Sequence, residues 1–268
     1  MNTIRPAAVA GLFYPGNHGT LAQEVGALLA AARTDTAGPC PKVVVVPHAG
    51  YVYSGAIAAA AYARLEASCH DIRRVVLIGP AHRVAVRGLA LPQADAFATP
   101  LGNVPLDTIL MAHLARLPQV SVSAAAHARE HSLEVQLPFL QTVLGEFSLV
   151  PLVAGNATPD EVAQVLELCW GGAETLIVVS SDLSHYLPYA AAQRTDRDTL
   201  QHILRGDAWL DGEQACGSMA VNGLMLSARS HRLHAELLDA RNSGDTAGDH
   251  EHVVGYAAIA YLEPDHHD

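Results

Sequence analysis

Lys42-Val43-Val44-Val45-Val46-Pro47-His48-Ala49-Gly50-Tyr51, followed closely by the alanine-rich run 54–65, decides how this chain reads. Four successive valines predict a strand over 42–46, because β-branched side chains fit a pleated surface. The Pro-His-Ala-Gly-Tyr cluster ends it. The run 54–65 then predicts a helix of small residues able to pack closely on a sheet. The same unit recurs outward from this stretch. A helix is predicted over 21–33 with Thr20 as its cap, and a strand over 74–78 ends in Gly79-Pro80-Ala81-His82.

Further along, the pattern predicts helices over 106–117, 132–144, 159–170, 195–205 and 218–229. Strands are predicted over 148–153, 174–179 and 253–261. The strand over 174–179 ends in Ser180-Ser181-Asp182-Leu183-Ser184-His185-Tyr186. Strands alternating with helices predict an α/β layered sandwich, with helices flanking a parallel or mixed sheet. No low-complexity linker and no internal repeat divides residues 1–268, so a single domain is expected.

Composition narrows the function. The chain has 268 residues, half of them apolar, with 16 Lys and Arg against 27 Asp and Glu, a formal net charge of −11. A phosphate-backbone binder needs clustered cations, so nucleic acid is not an expected partner. The uncharged stretch 43–63 is long enough to suggest a membrane span, but Pro47, His48, Gly50 and Gly55 interrupt it. The apolar run before Ala8-Val9-Ala10 is too short for a signal-peptide core. Cys40, Cys69, Cys169 and Cys216 are far apart and form no C-x-x-C pair. They predict neither a disulfide framework nor a zinc ribbon, and a reduced cytoplasmic setting follows as the expectation.

Fifteen histidines are the unusual total. Three predicted strands end in turns carrying histidine: His48, His82, and His185 beside Asp182. In open α/β sheets ligands bind beyond the carboxyl ends of the strands, so these turns would share a site if their strands are neighbours. Cys216, in Gln214-Ala215-Cys216-Gly217-Ser218, precedes an apolar helix. A thiol at a helix N-terminus is expected to have a lowered pKa. The other three cysteines read as buried small hydrophobes. Two imidazoles and one thiolate suit Cu(I), Zn or Fe(II). His127-Ala128-Arg129-Glu130-His131 matches the inverted zinc-protease pattern but lacks an identifiable third ligand. His131 and Glu134, three apart, would share a helix face and could orient a ligand or substrate. His250 with His252, and His266-His267, read as exposed.

Several blocks together resemble one family. These are Arg5-Pro6-Ala7, Gly11-Leu12-Phe13-Tyr14-Pro15, Pro47-His48-Ala49-Gly50-Tyr51, Gly79-Pro80-Ala81-His82, the run from Glu130 to Pro138, the Ser180–His185 block, Cys216-Gly217, and Val253-Val254-Gly255-Tyr256-Ala257. In order along nearly the whole chain, they resemble the Memo family. Its bacterial and archaeal members are named AmmeMemoRadiSam system protein B, which implies radical SAM and AMMECR-type proteins as partners. The family is similar in structure to class III extradiol dioxygenases, and that similarity implies a dioxygenase-like fold. It also implies His48, His82 and Cys216 as metal ligands, His185 as an acid/base group, and Asp182 and His131 lining the pocket. Cys216 stands where those enzymes place a carboxylate, so the fold transfers better than the reaction.

The expectation is one transition metal at His48, His82 and Cys216, with redox chemistry on oxygen or a small molecule. The alternatives are a non-catalytic metal-binding accessory protein acting with a radical SAM partner, or a hydrolase using Cys216 as nucleophile.

Overall fold

The computed structural model describes residues 3–32, 38–207 and 209–264. Its elements, in chain order, are β1 (Ile4–Arg5), α1 (His18–Ala32), β2 (Val43–Val46), α2 (Tyr51–Ser68), β3 (Arg74–Pro80), β4 (Leu89–Leu91), β5 (Ala96–Thr99) and β6 (Gly102–Pro105). Then come α3 (Thr108–Leu114), β7 (Val120–Val122), α4 (Ala124–Ala128), α5 (Leu137–Leu144), β8 (Ser148–Ala154), α6 (Pro159–Cys169), β9 (Thr175–Ser180) and β10 (His185–Leu187). The chain finishes with α7 (Tyr189–Arg205), α8 (Ser218–Ser230), β11 (His234–Asn242) and β12 (Val253–Leu262).

Nine strands form one mixed sheet in the order β10-β12-β2-β9-β3-β8-β4-β7, with β11 on β12. Its centre is the parallel set β2-β9-β3-β8, whose first three strands each hold a run of four buried valines, leucines or isoleucines. Such continuous apolar runs mark strands covered on both faces. Helices α1, α2 and α5 form one layer against β2, β11 and β12; α3, α6 and α8 form another against β3, β8 and β9. The expected mixed α/β sandwich is therefore present.

Differences from the sequence reading have local causes. α1 begins earlier than expected, because the Asn17 side chain, not Thr20, accepts the first free amides, from Gly19 and Thr20. α7 starts at Tyr189, directly after Pro188, rather than at 195. Pro138 falls in the first turn of α5, where its missing N–H costs nothing. The short strands β4, β5, β6 and β7 had no visible period in three or four residues. β11 was hidden by the Glu, Asp and Arg of a half-exposed strand.

The cysteine reading needs correction. Cys40 and Cys69 are joined in a disulfide, with Cα atoms 5.2 Å apart. α2 carries the chain from the carboxyl end of β2 back to its amino end, so residues 29 apart meet there. Only Cys169 is the buried small hydrophobe expected. The argument for a reducing compartment from cysteine usage loses this support.

The His127–His131 segment also differs from expectation. His127 is buried and its Nε2 bonds the Ala90 carbonyl at 2.8 Å. Arg5 holds this region: its Nε donates to the His127 carbonyl, one terminal nitrogen donates to the Glu130 carbonyl, and the other pairs with Glu134. The guanidinium lies 4.9 Å over the Phe97 ring. His127 therefore faces the β4 side, outside the histidine cluster that could hold a metal, which counts against the zinc-protease pattern.

Two outcomes test this description. A 29-residue closed loop is worth about 3–4 kcal/mol in the chain-entropy account. Cys40→Ser should lower unfolding free energy in urea by that order, and dithiothreitol should destabilise the wild type but not the variant. Burial holds His127 down to about 4 from 6.5, so the unfolded chain binds its proton first as pH falls. Stability present above pH 6.5 should be lost towards pH 4. Between pH 7 and 5 the wild type should lose about 2 kcal/mol more than His127→Gln, read by urea unfolding at both pH values.

Candidate metal centre

β9 lies between β2 and β3, so the carboxyl ends of three adjacent parallel strands carry His48, Ser180 with Asp182, and His82. Neighbouring strands are about 4.8 Å apart, so side chains from β2 and β3 reach a common space over β9. Of the three strand-end histidines expected to converge, His48 and His82 do, with ring centroids 5.1 Å apart, while His185 is not in the cluster. A third ring joins them. His131 stacks on His82 at 4.6 Å and meets His48 edge-on at 5.4 Å. One ligand atom from each of His48, His82 and His131 falls within 4.8 Å of the others, so this cluster could hold a metal ion.

The hydrogen bonds fix which nitrogens face the cluster. Ser180 Oγ donates to the Ser132 carbonyl at 2.6 Å and accepts from Gln136 Nε2 at 2.9 Å. Its remaining capacity is as an acceptor, so His48 Nδ1, 2.9 Å away, must donate to it. Gln136 is itself fixed, accepting from Tyr62 and donating to the Pro47 carbonyl. His82 Nδ1 donates to Glu130 Oε1 at 2.9 Å, and its backbone N–H donates to Oε2 at 2.7 Å. In both rings Nε2 then carries the lone pair. A ligating imidazole is oriented in this way through its other nitrogen. His131 Nδ1 is buried with no hydrogen-bond partner, 3.4 Å from Glu130 Oε1. Its ring is not locked as the other two are.

Electrostatics disfavour charge on His48 and His131. Burial, then the neighbouring His82 and His131, push His48 well below its usual range. Burial and His82 bring His131 down to about 4. For Glu130, burial alone would raise the pKa, but donors from His82 and Ser132 outweigh it and hold the group at about 2. It is therefore an anion and a pure acceptor.

Cys216 corrects an expectation. Its Sγ lies 3.3 Å from His48 Nε2 and accepts the Asp182 backbone N–H at 3.3 Å. Two ligands of one tetrahedral ion, at about 2.0 and 2.3 Å from it, would be about 3.5 Å apart, so the thiol fits beside His48. It lies outside the set of three mutually close nitrogen ligands. Burial and the Asp182 charge push its pKa up to about 12, against the lowered value expected at a helix start. The turn needs Gly217: a Cβ there would lie 2.6 Å from the Ser181 side chain.

Asp182 is buried, and its Oδ1 accepts the His48 backbone N–H at 2.7 Å. Burial raises its pKa to about 7, against the lowering effect of that bond. His185 is half-buried and lines a cavity of about 730 Å³ with His82, Cys216, Asp211 and Glu213. Burial lowers its pKa, so the ring is neutral at pH 7. Glu134 does not share a helix face with His131. It points away to accept from Ala8, Val9 and Tyr14 and to pair with Arg5. His250 stacks on Tyr189 in an exposed turn, and His266-His267 lies outside the described residues. The sequence reading missed Glu130, Ser180 and Gln136 as orienting groups. Only Glu130 had a sequence signal, its place beside His131, and that was assigned to another chemistry.

Residues 5–260 match the family described as Memo-like protein. A MEMO1 family protein of Aquifex aeolicus (strain VF5) is 34% identical over 272 residues, 97% of this chain and 99% of its own length. One from Thermoplasma volcanium is 34% identical over 96% of this chain and 97% of its own. One from Ignicoccus hospitalis is 35% identical over 97% and 99%. A solved structure of an uncharacterized protein from Escherichia coli K12 aligns over 81% of this chain and 98% of that one at 13% identity. Its TM-score is 0.48. With the family match spanning the sheet, the histidine cluster and Cys216, and with relatives similar from end to end, this chain belongs to the Memo-like protein family.

Proposed function

We propose that the protein is a metal-dependent redox protein holding one transition-metal ion at His48 and His82, with Cys216 beside His48 and His131 as a further nitrogen. The observation that carries this reading is that both Nδ1 atoms are committed, one to Ser180 and one to Glu130, leaving two Nε2 lone pairs in one small space. Soft sulfur with imidazole suits Fe(II), Cu(I) or Zn, and the first two would supply one-electron chemistry with oxygen or a small molecule. The residues do the rest. Ser180 and Glu130 hold the His48 and His82 rings, and burial keeps His48 neutral and able to donate. Cys216 would ligate as thiolate, releasing its proton to solvent. His185, neutral at the cavity wall, can accept a proton from a bound molecule.

A second reading is a metal-holding accessory protein without turnover of its own, acting with a radical SAM partner. A soft donor set beside a thiol of such high proton affinity favours it, since these donors retain Cu(I) or Zn firmly. A cysteine nucleophile is less well supported, because a thiol with a pKa near 12 carries almost no thiolate at neutral pH.

Metal content is the test. Protein purified anaerobically should carry close to one transition-metal equivalent, and His48→Ala/His82→Ala almost none; equal, negligible metal in both would end the metal reading. Glu130→Gln should bind metal about 10–100-fold more weakly in a chelator competition. His185→Ala should keep its metal. If it also keeps every measured turnover, the accessory reading replaces the catalytic one.

A further inference from the structure

A second cavity, of about 320 Å³, lies between α7 and β11, and none of the residues of the histidine cluster lines it. Leu183, Leu200, Leu204, Leu237 and Tyr256 give it a largely apolar wall. Asp196 is set into that wall, only 8% exposed. Its hydrogen-bond partner among the described residues is Ser184, whose backbone N–H donates to Oδ1 at 3.0 Å. Among those residues no Lys, Arg or His lies within ion-pair distance of it. Arg197 and Arg241 also line the cavity; Arg241 is bound to Asp239, and Arg197 is exposed to solvent. The backbone gives way for this carboxylate: a Cβ on Gly255 would fall 2.1 Å from Asp196 Oδ2.

A desolvated carboxylate is costly unless a cation or a proton meets it. A carboxylate placed in an apolar cavity of this size is matched by a small organic cation. We infer that this cavity is a binding site for a small apolar amine, its ammonium on Asp196 and its hydrocarbon body against Leu200, Leu204 and Leu237. The size agrees, since pockets for small molecules begin at about 300 Å³. The site is also connected to the metal centre. Ser184 and Leu183 are tied to Gly255 by backbone bonds, and Asp182, one residue earlier, holds the His48 amide.

The test uses the full-length chain titrated calorimetrically with 2-phenylethylamine and, separately, with 3-phenylpropionate, which keeps the ring and reverses the charge. The amine should bind saturably at one site, and the acid at least about tenfold more weakly. Asp196→Asn should weaken amine binding at least about tenfold, because a charge-assisted bond is lost. Leu204→Trp, which keeps Asp196 and fills the cavity, should abolish binding while the thermal transition stays cooperative. This second variant keeps the inference open to test if Asp196→Asn fails to fold. No saturable amine binding, equal binding of the acid, or amine binding unchanged in Leu204→Trp would each overturn it.

Discussion

Two buried carboxylates on one loop organise this molecule. Glu130 and Glu134 are 2% and 0% exposed, and an ionised group taken out of water must find a full set of donors. Those donors come from distant parts of the chain. Glu134 gathers Arg5, Ala8, Val9 and Tyr14 from the N-terminal segment. Glu130 gathers the amide and ring of His82 from the turn after β3, together with the amides of His131 and Ser132. Satisfying both pins the loop 127–136 across the carboxyl edge of the sheet, which brings His131 against His48 and His82. Within the N-terminal family blocks, Arg5 and Tyr14 hold Glu134 and its loop, while the Phe13 ring packs on His131 with centroids 4.7 Å apart.

The cluster illustrates a second constraint. Three imidazoles at centroid distances near 5 Å cannot all be protonated, and burial removes the water that would ease the charge. Neutral rings are also what a metal requires. Ser180 and Glu130 decide which nitrogen of His48 and His82 is free, in a cluster that could hold a metal ion. Cys216 differs in that burial favours its protonated thiol, so any ligation by it would be coupled to proton release.

Much of this was legible in the residues. Val43–Val46, Arg74–Pro80 and Thr175–Ser180 are apolar runs closed by polar turns, and each folds as the strand expected, with the histidine turn at its carboxyl end. Short strands such as β4 and β7 were not legible, because three residues carry no measurable period. The cap of α1 moved by three residues because Asn17 and Thr20 are both good caps, and local sequence does not rank them. Cys40 and Cys69 read as unrelated because 29 residues separate them, and only the return path of α2 places them side by side.

The amino-acid order alone determined the α/β alternation, the burial of the central strands and the placing of histidines at strand ends, because periodicity and turn chemistry act over a few residues. Tertiary structure decided what those side chains became. It inserted β9 between β2 and β3, turned Glu130 towards His82 and Glu134 towards Arg5, and raised the Cys216 pKa at a helix start expected to lower it. The reason is physical: desolvation and charge pairing depend on neighbours up to 168 residues away in the chain, as Cys216 and His48 are. No local pattern encodes what will surround a group once it leaves water.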